Sequence, residues 1–88
     1  MKISLDFKGL ETPAAVHAYL QQALAFPAYY GKNLDALYDV LSTWDQPACF
    51  ILRLPERSGG EMAAFWPRLG RVFMDAAAAN PRVEARIR

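Results

Sequence analysis

Three stretches that read as β-strands stand at the two ends and in the middle of the chain, with helical segments between them. Lys2 to Phe7 alternates strictly, with Ile3, Leu5 and Phe7 on one face and Lys2, Ser4 and Asp6 on the other, which predicts a strand with one buried face. Near the C-terminal end, Val83, Ala85 and Ile87 alternate in the same way with Arg82, Glu84, Arg86 and Arg88. The middle strand, Ala48 to Leu54, is apolar from Ala48 to Leu52 without alternation, as where both faces or both edges are covered. Strands separated by helices imply right-handed crossovers and parallel pairing. The expected fold is therefore α/β and two-layered. A three-stranded parallel sheet in the order 1-2-3 carries helices on one face and leaves the other largely open to water.

The helical segments announce themselves by their ends. Thr12 stands before Pro13, an N-cap followed by proline at the first helical position, and Pro27 lies just beyond the end. Val16, Leu20 and Leu24 recur every four residues as its buried stripe. His17 is the only histidine, with no second ligand near it in sequence, so it reads as an exposed or partly buried helix residue. Pro55 to Gly60 is a loop, and Ser58-Gly59-Gly60-Glu61 has the spacing of a capping box. Pro67 must stop, kink or restart the helix that follows. Beyond it Leu69, Val72, Phe73 and Ala76 form one face and Arg68, Arg71 and Asp75 the other, until Asn80 and Pro81 end the run.

Between these lies the stretch with the most chemical character, Tyr29 to Leu41. Asn33 is placed to cap a short helix. On a helical wheel Leu34, Leu37, Val40, Leu41 and Trp44 share a broad apolar arc, while Asp35 and Asp39 fall together on the opposite side. An i, i+4 pair of carboxylates repels. The helix dipole offsets part of this at Asp35, but its effect has faded by Asp39. Before the helix, Tyr29 and Tyr30 adjoin Gly31, which either takes a positive φ or lets another molecule approach the backbone. Tyrosines, a glycine and adjacent carboxylates make a compact aromatic and acidic surface of the kind that binds proteins.

The remaining totals set bounds. At 88 residues the chain is one domain, residues 1–88. A hydrophobic share of 53% supports a packed core rather than disorder. The net charge of +1 means that any recognition by charge relies on patches. Cys49 is the single cysteine, which excludes an internal disulfide and suits a reducing compartment, and its apolar surroundings mark it as a small buried side chain. No apolar run is long enough to span a bilayer, and MKISLDFKGL lacks the continuous apolar segment of a secretory signal. A cytoplasmic location is the expectation.

The run LAFPAYYGKNLDALYDVLSTW resembles the barstar family, intracellular inhibitors of a secreted microbial ribonuclease, barnase. The likeness is specific in the aromatic pair, the glycine, Asn33-Leu34-Asp35-Ala36-Leu37, Tyr38, Asp39 and Trp44, and extends more loosely over the whole chain. It implies a barstar-like fold and a role as antitoxin or immunity protein. A monomeric inhibitor would plug the active-site cleft of one ribonuclease with the turn and helix. The resemblance makes Tyr29, Tyr30, Gly31, Asn33, Asp35, Tyr38, Asp39, Trp44 and Asp75 the partner-binding residues, with Asp39 standing in for a substrate phosphate. The same surface could instead serve another toxin or protein.

Other classes find less support. Asp35, Asp39 and Asp75 are of the type that holds Mg²⁺, but no base, nucleophile or phosphate-cradling loop accompanies them. Neither an enzyme nor a cofactor is expected. Arg82, Arg86 and Arg88 alternate onto one strand face and could meet phosphates, yet a solvated strand is the simpler account, and no direct nucleic-acid partner is expected.

Overall fold

The computed structural model describes residues 1–88. In chain order the elements are β1 (Lys2–Asp6), α1 (Pro13–Ala23), α2 (Leu34–Ser42), β2 (Ala48–Arg53), α3 (Gly60–Ala79) and β3 (Val83–Ile87). The three strands form one parallel sheet in the order β1-β2-β3, the topology expected of strands joined by helical crossovers. Leu5 pairs with Leu52, and Leu52 in turn with Ile87, so the strands end nearly level.

β2 corrects one expectation. Its burial alternates: Ala48, Phe50 and Leu52 are buried beneath the helices, while Cys49 and Ile51 are half-buried on the open face. The partial cover there comes from neighbours across the sheet, since Cys49 lies between Lys2 and Glu84 and Ile51 between Ser4 and Arg86. Cys49 is thus half-buried rather than enclosed.

The helices bury the faces that their periodicity marks. α1 starts at Thr12, whose hydroxyl accepts the Ala15 amide at 3.1 Å, and buries Val16 and Leu20. α2 buries Leu37 and Leu41 fully and half-buries Leu34 and Val40, and Trp44, just past its end, is half-buried as well. α3 runs unbroken through Pro67. Proline removes the amide that would bond the Ala63 carbonyl, but Ala63 and Pro67 are both on the exposed side of the helix, where a missing backbone bond costs less than in the core. The expected capping box does not form. The N-cap is Gly59 with no side-chain bond, and the Ser58 hydroxyl instead accepts the Trp66 indole N–H at 2.9 Å.

Asn80 ties the layers together. Its side-chain amide donates to the carbonyls of Leu41 (3.1 Å) and Trp44 (2.9 Å), and its side-chain oxygen accepts the Arg82 amide at 3.0 Å. One buried side chain thereby fixes the exit of α2 against the entry to β3.

Candidate protein-binding surface

The turn before α2 is held from both ends by Asn33. Its Oδ1 accepts the Ala36 amide at 2.7 Å, which caps the helix, and its Nδ2 donates to the Gly31 carbonyl at 3.3 Å. The left-handed residue of the turn is Lys32, with φ +54°, and not Gly31. Gly31 serves close approach instead. A Cβ there would stand 3.2 Å from Ala36 Cβ and 3.4 Å from Asn33 Nδ2, so the turn packs directly against the first helical turn. A non-glycine residue in the left-handed region costs on the order of 1–2 kcal/mol, and the two bonds of Asn33 help hold it there.

Tyr29 and Tyr30 part ways. Tyr29 is 88% exposed, whereas Tyr30 is only 6% exposed and belongs to the core. The Tyr30 ring packs on Phe26 at a centroid distance of 4.8 Å. Its hydroxyl lies 2.8 Å from Nδ1 of His17, which is buried as well. This corrects two expectations: Tyr30 supports the turn from beneath, and His17, expected to be exposed or partly buried, is fully buried. Burial lowers the His17 pKa and pushes the Tyr30 phenol up to about 12, because a desolvated ring resists charge in either direction. At neutral pH both are uncharged and the hydrogen bond is a neutral one. The signal for His17 was its place three residues before Leu20 and seven before Leu24, which sets it beside the buried stripe.

The outer side of α2 is acidic. Asp35 and Asp39 are both exposed, and neither forms an ion pair. The backbone carbonyl of Asp39 accepts the hydroxyls of Thr43 (2.8 Å) and Ser42 (3.2 Å), which fastens the last turn of the helix. Tyr38, 36% exposed, borders the pair. Trp44 is half-buried, with its ring 5.6 Å from Phe50 and 6.4 Å from Phe26. Its indole N–H is buried without a partner, so this residue also packs inward. Asp75, on α3, is bound to Arg71 at 3.2 Å. Asp35, Asp39 and Asp75 do not meet in one metal-ligating group.

Among the nine residues marked by the sequence, Tyr29, Gly31, Asn33, Asp35, Tyr38 and Asp39 therefore lie at the surface of one capped segment. Tyr30 and Trp44 pack beneath or beside it, and Asp75 is on a different helix. Residues 1–87 match the sequence model of the family described as Barstar (barnase inhibitor). The chain belongs to the barstar family. A relative in Bacillus subtilis (strain 168), named putative ribonuclease inhibitor YrdF, is 36% identical over 76 residues, which span 85% of this chain and 84% of the relative. The three-stranded parallel sheet with three helices agrees with a barstar-like α/β fold. No helix is long and apolar enough to cross a membrane.

Proposed function

We propose that this barstar-family chain binds one ribonuclease and blocks its active site with the turn and outer face of α2. The observation that carries this reading is the pair of exposed, unpaired carboxylates, Asp35 and Asp39, on a helix whose cap and last turn are both fastened. A ribonuclease cleft is lined with cations arranged for a phosphodiester. A carboxylate on a rigid helix occupies that place without being cleavable, and little ordering entropy is lost on binding. Asp39 takes the phosphate position, and Asp35, Tyr29, Gly31, Asn33 and Tyr38 line the contact. Asp75 contributes at the margin. Its exposed pair with Arg71 is worth at most about 1 kcal/mol, so releasing it to a partner costs little. Tyr30 and Trp44 shape the surface from below. The inhibitor is monomeric when free and acts in the cytoplasm.

A second reading keeps the surface and changes the partner to a toxin or protein other than a ribonuclease. Lys32 favours it, because an exposed cation stands inside the acidic turn and repels a strongly basic cleft. Activity assays separate the two. With a cognate ribonuclease, RNA cleavage falls linearly to zero at one equivalent of inhibitor, and the residual activity returns as salt is raised. Failure to inhibit any basic microbial ribonuclease removes the first reading.

A further inference from the structure

A second charged site lies where all three strands end. Asp6 closes β1, Arg53 closes β2 and Arg88 follows β3. They line an open cleft of about 690 Å³ together with Lys8, Glu56 and Arg57. The sheet itself brings these distant residues together, since Asp6 pairs with Arg53 in the register and the Arg88 amide donates to the Leu52 carbonyl at 2.8 Å. No lining residue belongs to the Tyr29–Leu41 segment.

The charge in this cleft is uncompensated. Among the side chains, four cations, Lys8, Arg53, Arg57 and Arg88, face two carboxylates, Asp6 and Glu56, in a molecule whose formal net charge is +1. None of the four makes an ion pair, since the ion pairs of the fold are Arg71–Asp75 and Arg86–Glu84. One of the two carboxylates, Asp6, is also occupied in accepting the Lys8 amide at 3.0 Å. The lining contains no aromatic ring, and its aliphatic side chains are Leu54 and Pro55. No aromatic platform for a base is present. What the cleft offers is three guanidinium groups, whose planar forks fit phosphate oxygens two at a time.

We propose that this cleft binds an anion carrying two or more linked phosphates, recognised through the phosphate chain alone. The chain of a free oligophosphate and that of a nucleotide present the same chemistry. Titration calorimetry of the full chain at about 20 mM salt, with tripolyphosphate, ATP and adenosine as separate titrants, tests this. Tripolyphosphate is expected to bind one-to-one and adenosine not at all. Equal affinity for ATP and tripolyphosphate then assigns recognition to the phosphates, and tighter binding of ATP overturns recognition by phosphate alone. The double variant Arg53→Gln/Arg88→Gln is expected to weaken tripolyphosphate roughly tenfold. Arg57→Gln serves if the double variant loses its circular dichroism spectrum. Glu56→Gln should strengthen binding and Arg71→Gln leave it unchanged. Absence of tripolyphosphate binding, or equal binding by the arginine variants, overturns the proposal. Binding of a single-stranded oligoribonucleotide without tripolyphosphate overturns it too, in favour of a nucleic-acid surface.

Discussion

Tyr30 and His17, thirteen residues apart, share one buried hydrogen bond beneath the acidic turn, and each resists charge in the folded state for the same reason. His17 has a lowered pKa when folded, so the unfolded chain takes up a proton that the folded protein refuses. Its contribution to stability is complete above about pH 6.5, the unfolded value, and is lost as the pH falls toward the lowered one. Tyr30 works at the other end of the scale. The folded phenol titrates at about 12 instead of 10.0, so its contribution is complete below about pH 10 and is lost as the pH rises from about 10 to 12. Urea unfolding midpoints measured across the pH range should therefore decline in both windows. Tyr30→Phe should remove the tyrosine's share of the alkaline decline. It should also cost about 1–3 kcal/mol at neutral pH, by leaving the His17 nitrogen unpaired. An unchanged midpoint would show that the bond contributes nothing. Periodicity marked both residues incompletely, because it describes one element at a time and this contact joins a helix to a loop.

At the scale of the element, α2 is one short helix with two separable tasks. Leu37 is fully buried on one side and Asp39 is exposed on the other. Leu37→Ala should leave a core cavity and lower stability by about 2–5 kcal/mol in thermal or urea unfolding. A variant as stable as the wild type would mean that the helix is rotated from the phase described. Asn33→Ala removes the acceptor for the Ala36 amide and the donor to Gly31. It should cost about 1 kcal/mol in unfolding, and it should also weaken partner binding by loosening the left-handed Lys32 turn. The helical faces and caps of α1 and α2 were legible because hydrophobic spacing and cap residues act locally. The start of α3 was not. Ser58 has the right spacing for a capping box, but the Trp66 indole eight residues on competes for the same hydroxyl and holds it. Gly31 was legible as a constrained position and misread in its cause, since the close approach is to Ala36 in its own chain.

Across the whole molecule, the near-neutral total conceals a separation of charge. Unpaired carboxylates stand on α2, while unpaired cations collect at the ends of the strands. The order of the sheet could be read from the strand patterns alone, since alternating outer strands and an apolar middle strand admit few arrangements. The basic cleft could not, because residues 6, 8, 53, 57 and 88 come together only once that order is built. With a net charge of +1, long-range attraction to a basic nuclease is weak. Recognition must then act within roughly 8–10 Å of the acidic face, the distance over which charges persist at moderate salt. Calorimetric titration of a panel of basic secreted microbial ribonucleases with wild-type protein and Asp39→Ala decides whether the acidic face of α2 binds a ribonuclease. The wild type should bind one-to-one with loss of RNA cleavage. Affinity should be at least several-fold weaker for Asp39→Ala, whose melting temperature stays within a few degrees of wild type because the side chain is exposed. Undiminished affinity in the Asp39→Ala variant, or no ribonuclease bound at all, would contradict binding through this face.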